Sequence, residues 1–328
     1  MAEHFLVTGA LGCIGAWTVK RLVDEGVPVW AYDLPGEPRR PRLIMSDDAL
    51  AKVRFVDGDI TDVNAFERTV ADHGITHVVH LAAFQVPFVK ADPLQGLKVN
   101  MLGSAVVLET LRKHKDQIKG YVYASSTAVY GPPGLYPAGS LAHDALHMPT
   151  NLYGVHKHAG EGMARIYWQD YGVGSVGLRP CVVYGPGRDQ GMTSTPTKAM
   201  LAAAAGRSYR ISFSDTLVYQ YADDAARAFI QAVRTGNQGA SAYNLGGTSA
   251  SVADVVRAIE AAAPAAKGMI TVNPVEIGVT PEIDSSELEK AIGKAQWIPL
   301  RDGVRQTIAM LRAGIQAGKL DVDRILAA

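Results

Sequence analysis

The 328-residue chain is poor in cysteine, in net charge and in long apolar runs. Its two cysteines, Cys13 and Cys181, sit far apart and in no metal-like spacing, so a reducing cytoplasm is the expected location. The 32 basic and 32 acidic residues cancel with no long run of either sign, which removes the electrostatic footprint of a nucleic-acid binder. No apolar stretch approaches the ~20 residues that a bilayer span needs. The chain enters a strand pattern almost at Met1, which leaves no room for a signal peptide. Internal repeats and low-complexity tails are absent as well. Histidines 143, 147, 156 and 158 cluster in sequence, yet no metal is expected there. His156 and His158 are two apart on a helix and face different ways, and only Asp144 stands near His143 and His147.

What is present is an ordinary globular balance, 48% hydrophobic and 20% charged, with length enough for a large core and one to three domains. The first fifteen residues organise the rest. His4 to Thr8 is a short apolar run of the kind a buried parallel strand uses, and Gly9, Gly12 and Gly15 follow at three-residue spacing. A helical pattern then places Ile14, Trp17, Val19 and Leu22 inward. Strand, glycine turn and helix start make a phosphate cradle, because glycine permits close approach and helix N–H groups point at negative charge. The next strand ends in Asp33, near the spacing at which a carboxylate bonds an adenosine ribose. Dinucleotide binding is therefore expected.

Strand-like segments at 5–8, 27–32, 53–56, 77–81, 121–124 and 175–178 alternate with helices near 13–25, 62–73, 93–113 and 151–171. That alternation predicts an α/β fold with a doubly wound parallel sheet. Beyond Gly185 comes the loop Gly-Pro-Gly-Arg-Asp-Gln-Gly, followed by helices near 196–205, 222–234 and 252–262, while Pro264, Pro274, Pro281 and Pro299 break the last third into short pieces. The expected division is a cofactor domain over 1–185, with contributions from about 210–245, and a smaller, partly interleaved substrate domain over 186–328.

Chemistry is carried by three stretches. Asp59, at the end of the third strand, is either a turn residue or an acceptor for an adenine amino group, with Ile60 against the ring. Leu81, Ala82 and Ala83 end the fourth strand with small residues that leave space at the sheet's ligand-binding edge. The fifth strand runs into Ser125-Ser126-Thr127, and Tyr153 and Lys157 stand four apart on one helix face. A phenol of pKa ~10 is a poor base at neutral pH, and an adjacent ammonium together with an oxidised nicotinamide favours the phenolate. Tyr153 then exchanges a proton with a substrate hydroxyl held by Ser126.

These stretches, with Asn100, Leu178-Arg179-Pro180 and Val183-Tyr184-Gly185-Pro186, resemble the extended short-chain dehydrogenase/reductases, the family of NAD-dependent epimerases and dehydratases. The resemblance covers the first 190 residues in order. It implies a Rossmann domain, a bound nicotinamide cofactor held by Gly9, Gly12, Cys13, Ile14, Gly15, Asp33, Asp59, Ile60, Leu81, Ala82, Ala83 and Asn100, and a Ser126, Tyr153, Lys157 catalytic group. It also implies that Lys157 bonds the nicotinamide ribose, that the backbone near Cys181 lies by the nicotinamide, and that the 93–113 and 151–171 helices pair two copies into a homodimer. Asp33 favours NAD, since a carboxylate repels a 2′-phosphate. Arg39 and Arg40 either soften that preference or belong to a solvated loop.

Relatives that act on nucleotide sugars carry an asparagine where this chain has Val182 and an arginine where it has Leu217, both serving the diphosphate. The stretch from Tyr153 to Glu161 and the loop Gly191-Met192-Thr193-Ser194 are similar to the threonine-dehydrogenase branch. The expected substrate is therefore a small hydroxy acid, sugar acid or sugar-derived alcohol, hydrogen-bonded by Gln85, Ser126, Thr127, Thr193 and Ser194. Arg188 either pairs with a carboxylate or is a loop charge, and Thr193 and Ser194 equally suit helix capping. Two other readings stay open: a nucleotide-sugar epimerase or dehydratase with tightly held NAD, and a non-catalytic relative.

Overall fold

The computed structural model describes residues 2–236, 238–279 and 282–327. Its centre is a parallel sheet of β1 (Phe5–Thr8), β2 (Val29–Asp33), β3 (Arg54–Asp57), β4 (His77–His80), β5 (Gly120–Ala124), β6 (Ser175–Arg179) and, after a gap in sequence, Ala240–Asn244. The Ala240–Asn244 strand pairs with β6 at one edge, and the order from there is β6, β5, β4, β1, β2, β3. β1, β4 and β6 are buried end to end, as strands covered on both faces must be. Successive β1 residues serve opposite layers: Phe5 and Val7 join a core with the Cys13–Asp24 and Ala222–Arg234 helices, Leu6 one with Phe66, Val106 and Ala164.

Helix ends follow local chemistry. The Leu152–Tyr171 helix begins where the Asn151 side chain accepts the Gly154 N–H at 3.0 Å, and it ends at Gly172, whose φ of 65° needs no Cβ. On the other face, small residues Ala225, Ala226 and Ala228 let the Ala222–Arg234 helix lie close to the first helix, and Arg21 forks onto Asp223 at 2.5 and 2.8 Å.

A second unit is built on β7 (Val182–Tyr184), β8 (Tyr209–Ile211) and β9 (Thr216–Tyr221), with Thr248–Ser251 antiparallel to β9 and Ile270–Val272 parallel to β8. Helices Thr195–Ala204, Val252–Ala262 and Leu300–Gln316 close its core around Met200, Phe213 and Tyr219. None of the described helices is long and apolar enough to cross a membrane.

Several expectations need adjustment. The chain leaves the large sheet after Arg179, so β7 belongs to the smaller sheet, and the segment that rejoins the large one is 222–244. The Ala240–Asn244 strand has neither an apolar run nor a clean alternation and is specified by its place beside β6. The 93–113 helix runs unbroken but widens in its middle, where a π turn, Lys98–Leu102, joins Pro93–Leu97 to Gly103–Lys113. Pro299 does not break the C-terminal third. It caps a 17-residue helix whose inward Val304, Ile308 and Leu311 follow helical spacing.

The two layers meet most tightly where β5 begins. A Cβ built on Gly120 would lie 1.9 Å from the Val233 carbonyl oxygen, which is helix backbone with nowhere to retreat. Gly120→Ala is expected to cost about 3 kcal/mol and to lower the calorimetric melting temperature by several degrees; an unchanged melting temperature contradicts that packing.

Candidate active site

A cleft of about 660 Å³ runs along the C-terminal edge of the large sheet and under the smaller unit. That volume suits a dinucleotide site with room beside it. Its first wall is the glycine turn. Gly9 has φ of 67°, and a Cβ there would stand 2.7 Å from the Ala82 nitrogen; one on Gly15 would stand 2.1 Å from the Gly9 carbonyl oxygen. Only glycine allows this backbone to close so tightly ahead of the Cys13–Asp24 helix, whose first turn carries no acidic side chain. Asp33, at the end of β2, accepts the N–H groups of Leu11 and Leu34 at 2.8 Å each, which holds its carboxylate at the cleft. Burial pushes that carboxyl up, with the two N–H groups and Arg40 opposing. The Cys13 thiol is pushed up to about 11 by burial and is a packing group.

Opposite stands the polar wall. Ser126 begins a short turn after β5, its hydroxyl accepting the Ala128 N–H at 3.1 Å. Lys157 donates to the Ala124 carbonyl at 2.7 Å, and its Nζ lies 5.6 Å from the Tyr153 ring centre. Burial lowers Lys157 to about 8, against the pull of the Glu161 carboxylate. Burial raises the Tyr153 phenol, and a hydrogen bond with Ser126 and the charge of Arg188 oppose it. Lys157 and Arg188 are thus both near the phenol, and with only the protein's own groups around it burial holds Tyr153 above its ordinary value.

Behind this wall lies a network that the motifs did not announce. Glu161 accepts from Ser125 Oγ at 2.5 Å and from Arg179 Nε and Nη2 at 2.7 and 2.6 Å. Arg179, nearly fully buried, also donates to the Tyr130 hydroxyl at 2.7 Å and to the His143 carbonyl. His147 stands 3.8 Å from Glu161, and its Nδ1 shares a hydrogen with His158 Nδ1 at 2.7 Å.

The third wall is the loop after β7. Arg188 points into the cleft, donating to Gln85 Oε1 and Thr193 Oγ1 at 3.2 Å each. Arg40, read as a possible solvated charge, is instead part-buried and bound to Asp189 and the Leu11 carbonyl. Its neighbour Arg39 opens a short helix, Arg39–Ile44.

Of the residues singled out in the sequence, Gly9, Gly12, Cys13, Ile14, Gly15, Asp33, Asp59, Ile60, Leu81, Ala82, Ala83, Gln85, Ser126, Thr127, Tyr153, Lys157, Cys181, Arg188 and Thr193 line this cleft. Asp59 is also a turn residue, one oxygen accepting from the N–H and hydroxyl of Thr61 at 2.8 Å. Two lie elsewhere. Asn100 is buried and bonds the Phe84 N–H and C=O at 2.7 and 3.0 Å, so it shapes the loop after β4 from behind. Ser194 is buried under the loop, because the tight turn Met192–Ser194 that brings Thr193 to the cleft rotates its neighbour inward. Sequence reasoning missed Gln220, which accepts the Cys181 N–H at 2.9 Å and donates to the Leu245 carbonyl at 2.9 Å, fixing the cleft floor.

Comparison with known proteins gives this geometry its family. A UDP-glucose 4-epimerase of Mycolicibacterium smegmatis is 29% identical over 94% of this chain and 98% of its own. A UDP-glucuronate 4-epimerase of Arabidopsis thaliana is 30% identical over 78% of this chain, which spans 62% of that enzyme. Among solved structures, a partial-consensus L-threonine 3-dehydrogenase superposes with a TM-score of 0.78 at 27% identity, covering 96% of this chain and 100% of that one. The model of the NAD dependent epimerase/dehydratase family matches residues 5–246, and the chain belongs to that family as an NAD-dependent enzyme with a Rossmann fold.

Proposed function

We propose that this chain reversibly oxidises a secondary alcohol of a small sugar-derived or hydroxy-acid substrate. The observation that carries the reading is the meeting of Ser126, Tyr153 and Lys157 on one cleft wall across from the glycine turn. Ser126 donates to the reacting oxygen and keeps it near Tyr153. Tyr153 takes the hydroxyl proton, and Lys157 stabilises the resulting phenolate electrostatically. NAD, held by the glycine turn and Asp33, supplies the hydride acceptor when bound. Gln85, Thr127 and Thr193 orient the remaining substrate oxygens.

A second reading is favoured by the relatives, whose names are those of nucleotide-sugar 4-epimerases. There the sugar is oxidised and re-reduced in place, with no net change in NAD. Against it stand Val182 and Leu217, both buried and apolar, where a diphosphate needs charge-assisted bonds of ~1.5–3 kcal/mol each. We also infer a homodimer, since the Pro93–Leu97 and Leu152–Tyr171 helices expose Leu94, Leu97, Val155 and Ile166. Sedimentation is expected to give twice the chain mass, and a monomer at micromolar concentration refutes the pairing.

The purified protein with NAD and a panel of hydroxy acids, sugar acids and nucleotide sugars is expected to form NADH with an acid. Turnover confined to nucleotide sugars, without net NADH and with NAD retained through gel filtration, selects the second reading. Tyr153→Phe is expected to lower kcat ~100- to 10,000-fold while NADH still binds. Because a positive nicotinamide favours the deprotonated phenol, NAD is expected to release a fraction of a proton on binding near pH 8, and NADH none. In Tyr153→Phe that release disappears; release of the same size from both cofactors contradicts the assignment of Tyr153.

A further inference from the structure

The loop from Gly185 to Gly191 holds two adjacent charges and sends them to different places. Gly185, Gly187 and Gly191 all have positive φ, 127°, 91° and 95°, and the Arg188 N–H closes a turn on the Gly185 carbonyl at 3.0 Å. Arg40 brings both Nε and Nη2 to one oxygen of Asp189, Oδ1, at 3.0 and 2.6 Å. Arg188 feels the charge of Asp189 but makes no ion pair with it, and among the described residues no carboxylate lies within ion-pair distance of the guanidinium. Its hydrogen bonds to Gln85 and Thr193 are long, 3.2 Å each, and made to neutral oxygens. Its Nε is shielded from solvent and has no partner among the described residues. A guanidinium offers five donors in a planar fork and does not give up its proton, so a part-buried one short of acceptors is built to receive an anion.

The surroundings narrow the anion. Among the described residues three cations line the cleft: Arg40 is paired with Asp189 and bonds the Leu11 carbonyl, while Lys157 bonds the Ala124 carbonyl and has the Glu161 carboxylate acting on its charge. One free cation matches a single negative charge, whereas a diphosphate brings at least two. Val182, on the cleft lining, is buried hydrocarbon and offers a charged group no bond. Arg188 also lies close enough to Tyr153 for its charge to act on the phenol. An anion on Arg188 would share the cleft with the carbon whose hydroxyl Tyr153 serves.

We propose that Arg188, flanked by Gln85 and Thr193, is the subsite for a substrate carboxylate, which makes the substrate a hydroxy or sugar acid with its carboxylate near the reacting alcohol. The proposal rests on the oxidation reading given above and adds the chemical class of its substrate. Gly191 is part of the same device: a Cβ there would meet Gln85 Oε1 at 1.9 Å, so the glycine makes room for the amide that steadies the guanidinium.

Calorimetric titration of the protein with NADH present, using glycerate, gluconate and glucuronate against glycerol, sorbitol and glucose, tests the subsite. At least one acid is expected to bind, with its neutral counterpart at least ~30-fold weaker. Arg188→Met is expected to weaken the acid about 100-fold and to close the gap to the neutral compound. Arg188→Lys, which keeps the charge but not the fork, is expected to recover only part of the loss and serves if Arg188→Met does not fold. Equal binding of acids and neutral compounds, acid binding untouched by Arg188→Met, or binding of UDP-glucose with no acid bound overturns the proposal. A separate NADH titration distinguishes the two levels. A protein that ignores NADH yet selects acids through Arg188 loses the oxidation reading and keeps the subsite, whereas NADH binding without acid selection does the reverse.

Discussion

The buried pair of Glu161 and Arg179 holds the catalytic wall together. Its two fork bonds join the Leu152–Tyr171 helix, which carries Tyr153 and Lys157, to the end of β6. The same carboxylate takes the Ser125 hydroxyl, so the strand end that presents Ser126 is pinned to the same point. Taking two charges out of water is costly, and such a pair adds little net stability compared with hydrocarbon. What it contributes is position: a single arrangement in which strand end and helix face each other across the cleft. Breaking it from one side would leave a nearly buried guanidinium alone, at a cost of ~3–5 kcal/mol. The pair also leaves a negative group one turn behind Lys157, which partly offsets the desolvation of that ammonium.

The electrostatics of the site are arranged around the cofactor. Burial pushes the phenol up and the ammonium down, so both groups tend to neutrality when only the protein surrounds them. A cation arriving at the cleft tips the phenol towards its charged form, and the phenolate in turn holds the lysine's proton. Arg188 works in the same direction from the loop side. Its influence is largest while it lacks a counter-ion and falls once an anion pairs with it.

The cofactor half was legible in the sequence because its demands are local. A turn that must pass within van der Waals contact of other backbone admits only glycine, and Gly9 and Gly15 are at those contacts. Tyr153 and Lys157 were legible because helical spacing alone places them together. The rest depends on distant partners. Nothing near Glu161 in sequence tells of Arg179, eighteen residues on and in another element. Asn100 looked like a ligand contact by motif, but the π turn rotates it onto the Phe84 backbone. The Ala240–Asn244 strand carries too little apolar character to be read before its neighbour β6 is known.

The smaller unit is not hung on the larger one by a single linker. The chain passes from β6 into β7, returns from β9 into the Ala222–Arg234 helix without an intervening loop, and crosses again after Asn244 towards Thr248. Three covalent crossings tie the two units together at several points of the backbone. Because Tyr221 ends one element and Ala222 begins the next, any tilt of the small sheet is delivered directly to that helix. Through Asp223 and Arg21 it then reaches the helix that starts at the glycine turn. The small sheet and the glycine turn are thus joined by one continuous stretch of chain and one ion pair.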